Sequence, residues 1–152
     1  MNINTPEYWD KRWASDPPLS RIVEKAICNL VEKDCSVLDI GCGTGGNLKE
    51  LSKFGEAYGI DLDPYAIGIC KKNGFKCEVG DLRDLKQKED SFDLITLYDV
   101  LNQIDYETIP VVLSDIKNAL KKDGLLVFRD PAIKTVSGKH DLYVNIKFRS
   151  EK

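Results

Sequence analysis

The chain has 152 residues, of which 42% are hydrophobic and 31% charged, with a net charge of −3. This length and balance predict one globular domain with a sizeable core, and the acidic charge argues against a dedicated nucleic-acid binder. No apolar run approaches the roughly 20 residues of a membrane helix, and no signal-peptide pattern opens the chain. We therefore expect no membrane partner and a cytoplasmic location.

Five cysteines and a single histidine predict reduced thiols and no metal site. None of the cysteines forms a C-x-x-C pair, and their odd number does not suggest a disulfide framework. We expect most of them to act as small buried hydrophobic residues. The five are Cys28, Cys35, Cys42, Cys70 and Cys77.

An aromatic segment precedes the first predicted strand. Tyr8, Trp9 and Trp13 can share one face of a helix that ends at the Asp-Pro-Pro of residues 16–18. The residues leave two interpretations open: a helix docked by its aromatic rings, or a segment that covers a ligand. Ser20 is a plausible N-cap for a second helix with apolar residues at helical spacing.

The stretch of residues 37–48 organises the chain. An apolar run that contains Asp39 is typical of a buried parallel strand, and the glycines of residues 41–46 then form a turn before an apolar-periodic segment. Strand, glycine turn and helix form the first unit of a nucleotide-binding α/β sheet. The alternative is an α/β turn without a ligand. Cys42 is expected in the turn for its size rather than as a nucleophile, because no base adjoins it in sequence.

The glycine spacing alone does not identify the ligand, because it satisfies both G-x-G-x-x-G and G-x-G-x-G. Asp39, two residues before Gly41, would repel a pyrophosphate and attract a cofactor that carries an ammonium group. Asp61 ends the next predicted strand, 20 residues after Gly41, where a carboxylate can accept hydrogen bonds from ribose hydroxyls. That feature supports an adenosine-containing ligand without choosing between cofactors.

Further polar residues follow the next strands. Asp63 and Pro64 predict the N-cap and first turn of a helix. After the strand at residues 75–80, the Asp81 carboxylate can accept from the adenine amine, and the Leu82 N–H can donate to a ring nitrogen.

The second half of the chain continues the alternation of strand and helix. Residues 92–98 predict a fourth strand, and Tyr98 and Asp99 lie at its carboxyl end, where ligands bind in open α/β sheets. A helix is predicted from Pro110, followed by a stop at residues 121–124. Residues 125–128 then predict a fifth strand.

Four of these stretches, in order, resemble the motifs of class I S-adenosylmethionine-dependent methyltransferases. Residues 39–45 resemble E/D-x-G-x-G-x-G, residues 59–64 resemble G-x-D-x-S/D-x, and residues 80–85 resemble G-D-x-x-x-L. Residues 92–104 resemble F-D-x-I/V-x-x-x-D-V/L-L-x-H, with Gln103 in place of the histidine. The resemblance extends from residue 7 to about residue 149, and it is specific for the superfamily but not for any substrate.

This resemblance implies a fold, a domain layout and a cofactor. The fold is α/β, a three-layer α/β/α sandwich with a mainly parallel, Rossmann-like sheet that lacks the usual last strands. Residues 1–152 form one domain: a cofactor-covering segment at 1–18, a core that binds S-adenosylmethionine at 36–130 and an incomplete C-terminal part at 131–152. The implied cofactor-binding residues are Trp13, Asp39, Gly41, Cys42, Gly43, Gly45, Asn47, Asp61, Leu62, Asp81, Leu82 and Tyr98.

The implied activity is methyl transfer from S-adenosylmethionine to an acceptor, which we expect to be a small molecule. The protein then mainly supplies orientation and proximity, and a base is needed only if the acceptor must lose a proton. Asp99 and His140 are the candidates for that base. Two alternatives remain: a non-catalytic module that binds S-adenosylmethionine or a nucleotide, and an NAD-dependent oxidoreductase, against which Asp39 argues.

The segment after Asp130 supports two interpretations. Residues 142–148 alternate apolar and polar side chains, which predicts a strand. Residues 131–132, 137–141 and 147–149 instead resemble P-A-(x)n-S-x-H-D-(x)n-R-R-[YF] of some bacterial methyltransferases, which implies a loop over the substrate side and then a helix.

The length of this segment predicts an incomplete sheet. The 22 residues after Asp130 are too few for another crossover helix and two strands, so we expect a fragment or a shortened form. Strand five would then have an exposed edge. We predict that residues 142–148 cover or pair with that edge, or that a second copy of the chain does so in a homodimer.

Overall fold

The structure is a computed structural model that describes Lys11 and residues 31–85, 89–130 and 142–147. The predicted N-terminal helices, Trp13 and His140 lie outside these described residues.

Six strands form one sheet with the order β3-β2-β1-β4-β5-β6. Neighbouring strands from β1 to β5 are parallel, and β6 runs antiparallel to β5. The strands are β1 (Cys35–Ile40), β2 (Gly55–Asp61), β3 (Lys76–Val79), β4 (Phe92–Tyr98), β5 (Leu120–Asp130) and β6 (Leu142–Lys147). The described helices of more than one turn are α1 (Gly46–Leu51), α2 (Pro64–Lys72) and α3 (Ile109–Ala119). Within the described residues, no helix is both long enough and apolar enough to cross a membrane.

Helices cover both faces of the sheet, as predicted for a three-layer sandwich. On one face, Leu38 and Ile40 of β1 pack in a core cluster with Val112 and Ile116 of α3. Val37, which points to the opposite face because side chains alternate along a strand, shares a cluster with Leu51 of α1. The buried residues of α2 extend the second face toward β3. The central strands β1 and β4 are therefore enclosed on both sides, whereas most of β3 is exposed.

The second helix begins as the sequence predicts. The Asp63 carboxylate accepts a 2.8 Å hydrogen bond from the Tyr65 N–H, and Pro64 occupies the first turn of α2. The sequence pattern predicts a first helix over residues 47–54, but this helix ends at Leu51. A tighter turn follows, in which the Phe54 N–H donates to the Leu51 carbonyl, and this turn places the Phe54 ring in the core.

Strand β5 is longer than the sequence predicts. It begins at Leu120, directly after α3, rather than at Leu125. Leu120 pairs with Phe92 of β4, and the register shifts before Leu125 pairs with Leu94. The predicted stop at residues 121–124 is therefore an irregularity within the strand, in which Asp123 adopts a φ of +63°.

The segment at Leu142–Lys147 is a strand, as its alternating pattern predicts. It pairs antiparallel with β5, from Leu125 opposite Lys147 to Asp130 opposite Leu142. The interpretation of these six residues as part of a loop is therefore wrong, whereas the rest of that loop and the helix expected after it lie outside the described residues. Because β6 covers the edge of β5 within the same chain, that edge is not available to a second copy.

A hydrogen-bond network joins the amino ends of β1 and β4 to β5. It lies at the opposite end of the strands from the glycine turn. Asp93 Oδ2 accepts hydrogen bonds of 2.8 Å from the Ser36 N–H, the Ser36 hydroxyl and Lys121 Nζ. Partial burial opposes the charged form of Asp93, but the hydrogen bonds from Lys121 and Ser36 outweigh it and lower the pKa of this carboxyl.

Asp93→Asn is expected to lower the free energy of unfolding at pH 7 by about 1–2 kcal/mol, because it removes the charge that these donors stabilise. A depressed carboxyl pKa adds stability above the unfolded-state value of about 3.9, and this contribution is lost as the pH falls through the folded-state value. The difference between wild type and variant should therefore shrink from pH 7 toward pH 3 in urea unfolding. Glu107→Gln, at an exposed position, is the control; an equal difference at both pH values would contradict the expectation.

Candidate functional site

The carboxyl ends of the parallel strands bring the predicted polar residues to one edge of the sheet. The glycine turn follows β1, Asp61 ends β2, Asp81 lies just after β3, and Asp99 follows β4 directly. This edge is the usual ligand site of an open α/β sheet.

The glycine turn is held against β2 and leaves no space for a side chain at Gly41. The N–H groups of Gly41 and Cys42 both donate to the Ile60 carbonyl, at 2.8 and 3.0 Å. Gly41 has a φ of +78°, and a Cβ atom there would lie 2.4 Å from Cγ2 of Val100. Glycine is required at this position for both its backbone conformation and its lack of a side chain.

The Cys42 side chain packs over a second glycine, in the middle of β2. A Cβ atom on Gly59 would lie 2.6 Å from Cys42 Sγ and 2.8 Å from Cδ1 of Leu48. Burial raises the pKa of the Cys42 thiol far above its ordinary value. This environment fits the predicted role of Cys42 as a small buried residue and not that of a nucleophile.

Asp61 connects the end of β2 to the glycine turn. Its Oδ2 accepts a 2.8 Å hydrogen bond from the Gly43 N–H, and its Oδ1 accepts a 2.9 Å hydrogen bond from the Asp63 N–H. Burial raises the pKa of this carboxyl, and the two backbone donors partly oppose that rise. A ribose-binding role for Asp61 could be predicted from the sequence. Its hydrogen bonds to the Gly43 and Asp63 N–H groups could not, because they depend on the fold of the turn.

Asp39 is buried inside the site, with 1% of its surface exposed. Its Oδ1 accepts a 2.7 Å hydrogen bond from the Thr96 hydroxyl, whereas its Oδ2 has no hydrogen-bond partner among the described residues. Burial raises the pKa of Asp39 to about 7, against the Thr96 hydrogen bond, which lowers it. Nearby Asp61 raises it further.

Thr96 is a site residue that the sequence patterns did not predict. Thr96 lies directly opposite Asp39 in the pairing of β1 with β4. The Thr96 hydroxyl within the apolar run of β4 was the one indication in the sequence. The residue that it contacts depends on the strand register.

A groove of about 390 Å³ lies beyond the ends of β2 and β3. Its lining includes Leu62, which is 60% exposed, and Asp81. Leu82 is buried next to it and begins a short 3-10 turn. The groove is lined by Ile60, Leu62, Glu78, Val79, Gly80, Asp81, Asp84 and Leu85.

Asp81 forms a two-pronged ion pair with Arg83 on the rim of this groove. Arg83 Nε donates to Oδ1 at 2.9 Å, and Nη2 donates to Oδ2 at 2.6 Å. The hydrogen bond from Arg83 lowers the pKa of Asp81. A ligand amine that forms a hydrogen bond with Asp81 must therefore share this carboxylate with Arg83. Arg83 was not among the predicted site residues.

At the other end of the site, Asp99 is fixed by both its backbone and its side chain. It has a φ of +57°, and its N–H donates to the Arg129 carbonyl at 2.7 Å. Arg129 Nη2 donates to Asp99 Oδ2, and Gln103 Nε2 donates to the Asp99 carbonyl, both at 2.7 Å. Aspartate adopts this left-handed conformation more readily than most non-glycine residues do.

The remaining predicted site residues lie in different environments. Tyr98 is buried in the core cluster on the α1 face and does not line the open groove. Asn47 lies half-buried in the first turn of α1. No group of residues in the described part of the chain could hold a metal ion.

Comparisons with known proteins agree with this fold. A family model described as a methyltransferase domain matches residues 38–128, which is more than half of the chain. An uncharacterized protein of Methanocaldococcus jannaschii is 34% identical over 149 residues, which cover 93% of this chain and 55% of that protein. A ribosomal protein L11 methyltransferase of Clostridium botulinum is 33% identical over 115 residues, covering 71% of this chain and 35% of the relative. The chain thus spans between about a third and about half of these relatives.

Among solved structures, the chain is similar to a TehB-like S-adenosylmethionine-dependent methyltransferase of Corynebacterium glutamicum. The TM-score is 0.70 at 28% sequence identity, and the match covers 83% of this chain and 72% of the other. The similarity therefore includes most of both chains.

Proposed function

Because the chain belongs to the class I S-adenosylmethionine-dependent methyltransferases, we propose that it binds S-adenosylmethionine and transfers the methyl group to an acceptor. S-adenosylmethionine is the cofactor of this family, and its sulfonium supplies an already activated methyl group. The residues of this chain then have to bind, orient and exclude water rather than activate the donor.

The observation that best supports this proposal is the second oxygen of Asp39. It is buried beneath the glycine turn without a hydrogen-bond partner among the described residues. A buried carboxylate oxygen is costly unless a donor or a cation satisfies it. The ammonium group of S-adenosylmethionine, directly or through a water molecule, is such a partner, whereas the pyrophosphate of NAD would be repelled.

The other carboxylates of the site fit the nucleoside part of the cofactor. Asp61 lies at the end of β2, next to the groove that contains Leu62 and Asp81. We assign the ribose hydroxyls to Asp61, and the adenine ring to Leu62, Asp81 and the Leu82 N–H. The backbone of Gly41, Cys42, Gly43, Gly45 and Asn47 forms the surface next to the methionine part.

Two further assignments concern the cover and the floor of the cofactor site. We assign residues 36–130 to the cofactor-binding core, and residues 1–18 with Trp13 to a covering segment. Tyr98 supports the site from the core below the end of β4, since its side chain is buried there.

We propose that the acceptor is a small molecule bound at the ends of β4 and β5, where Asp99 acts as the base. Arg129 and Gln103 fix Asp99, whose side chain nevertheless keeps 33% of its surface exposed. A proton from the acceptor can therefore reach Asp99 Oδ1 while Arg129 bonds to Oδ2. His140 is the second candidate for this role.

Asp99→Asn is expected to lower kcat for methyl transfer by about 100-fold or more, since a positioned general base contributes about 10²–10⁴-fold. The affinity for S-adenosylmethionine should change less than twofold. Single-turnover assays on an acceptor and calorimetric titration of the cofactor measure the two effects. Glu107→Gln is the control, and an unchanged kcat in Asp99→Asn would remove this residue from the mechanism.

The proposed function is tested by incubating the protein with S-adenosylmethionine labelled in its methyl group, together with a fractionated cell extract. We expect the label in the small-molecule fraction. Label in protein would overturn the small-molecule assignment. One relative is named as a methyltransferase of a protein, ribosomal protein L11. Cofactor binding without any transfer would support the non-catalytic alternative.

A further inference from the structure

Three cysteine thiols meet directly beneath the glycine turn. Cys42, Cys70 and Cys77 are 5%, 0% and 6% exposed and belong to one core cluster. The thiols of Cys77 and Cys42 both lie near enough to that of Cys70 to change its pKa. All three thiols are free in the structure.

The three thiols come from separate elements, and glycines provide the space for two of the sulfur atoms. Cys42 belongs to the turn, Cys70 to α2 and Cys77 to β3. Cys77 pairs with Gly59 in the sheet, and Cys42 Sγ lies directly over Gly59. A Cβ atom on Gly45 would lie 3.1 Å from Cys70 Sγ, so the turn passes close to this thiol as well.

We propose that Cys42 and Cys70 form a disulfide under oxidation and that this bond switches off cofactor binding. The proposal rests on the proposed function, because the affected ligand is S-adenosylmethionine. A peroxide first converts one thiol to a sulfenic acid and releases water. The second thiol then displaces a second water, which leaves the disulfide and consumes one peroxide for two thiols.

The disulfide would move the glycine turn. An S–S bond measures about 2.05 Å, whereas sulfur atoms in non-bonded contact lie farther apart, so Cys42 must approach α2. The turn has little room for this movement, since a Cβ atom on Gly45 would already lie 2.6 Å from the Phe75 ring. Movement of Cys42 also displaces the neighbouring Gly43 N–H, which donates to Asp61.

The environment of the thiols makes their reaction depend on opening of the turn. Burial, with a contribution from Cys77, raises the pKa of Cys70 to about 12, so this thiol is protonated at neutral pH. A protonated, buried thiol reacts slowly with peroxide. Because we assign this turn to the methionine part of the cofactor, we expect bound S-adenosylmethionine to protect the pair from oxidation.

The experiment combines peptide mapping with calorimetry on the full chain. After hydrogen peroxide treatment, non-reducing mass spectrometry should find a Cys42–Cys70 cross-link, and the affinity for S-adenosylmethionine should fall at least tenfold. Dithiothreitol should restore the affinity. Cys70→Ala should bind S-adenosylmethionine as the reduced wild type does and keep its affinity after peroxide. Cys35→Ala, buried in a different cluster, should remain sensitive.

A cross-link between Cys70 and Cys77, or the Cys42–Cys70 link with unchanged affinity, would overturn the proposal. Absence of any cross-link after complete reaction with peroxide would overturn it as well. If Cys70→Ala does not fold, mapping of the wild type and reversal by dithiothreitol decide the question without the variant. Failure of the reduced wild type to bind S-adenosylmethionine would instead refute the proposed function.

Discussion

Asp61→Ala is expected to lower the affinity for S-adenosylmethionine at least 100-fold. The substitution removes the acceptor that we assign to both ribose hydroxyls, and hydrogen bonds to a charged group contribute about 1.5–3 kcal/mol each. It also removes the acceptor for the Gly43 and Asp63 N–H groups. Loss of about 2.7 kcal/mol already corresponds to a 100-fold change in Kd, which isothermal titration calorimetry measures directly.

Two further variants separate the role of Asp61 in ligand binding from its role in holding the glycine turn by hydrogen bonds. Asp61→Asn keeps an acceptor for Gly43 but loses the charge, so its affinity should lie between those of wild type and Asp61→Ala. Asp63→Asn keeps the cap of α2, since asparagine is a good N-cap, and should bind as the wild type does. Urea unfolding of all three variants identifies any loss that comes from unfolding. Wild-type affinity in Asp61→Ala would refute the ribose assignment.

Asp39→Asn is expected to weaken S-adenosylmethionine binding far more than adenosine binding. The neutral amide keeps the shape of the side chain but no longer attracts the ammonium group at the methionine end of the cofactor. Adenosine has no such group, so its affinity should change little. Paired titrations with the two ligands measure the difference, and equal losses for both would show that Asp39 only shapes the turn.

The same substitution should increase the stability of the ligand-free protein in a pH-dependent way. Burial raises the pKa of Asp39 to about 7. Below the unfolded-state value of about 3.9, both states are protonated and there is no cost. As the pH rises from 4 to 7, the unfolded state releases its proton while the folded state keeps it, so the wild type loses stability relative to the variant.

Above pH 7 this relative loss is complete. A shift from 3.8 to about 7, at about 1.4 kcal/mol per pKa unit, sets a ceiling on the order of 4 kcal/mol. The unpaired amide hydrogens of the asparagine lower the stability of the variant at every pH, which offsets part of this difference. Urea unfolding at pH 4, 6 and 8 should show the variant gaining on the wild type with each step. A constant difference would mean that Asp39 titrates normally in the folded protein.

The order of the elements could be predicted from the sequence because its signals are local. The apolar runs, the glycines after β1 and the cap formed by Asp63 and Pro64 each depend on a few adjacent residues. The strand at Leu142–Lys147 follows from simple alternation, and the structure confirms it. The start of β5 could not be predicted, because Leu120 becomes extended only through its pairing with Phe92.

The polar contacts of the site were less predictable because they join distant parts of the chain. The bond between Thr96 and Asp39 spans 57 positions, and that between Arg129 and Asp99 spans 30. Both depend on which strands are neighbours and in which register. The sequence predicted the strand-end carboxylates, whereas the partners that hold them follow from the sheet topology.

Calorimetric titrations with S-adenosylmethionine and with NAD decide whether this site binds S-adenosylmethionine. We expect one saturable site for S-adenosylmethionine and no saturable heat for NAD, because Asp39 favours an ammonium group and disfavours a pyrophosphate. Saturable binding of NAD, with none for S-adenosylmethionine, would contradict it.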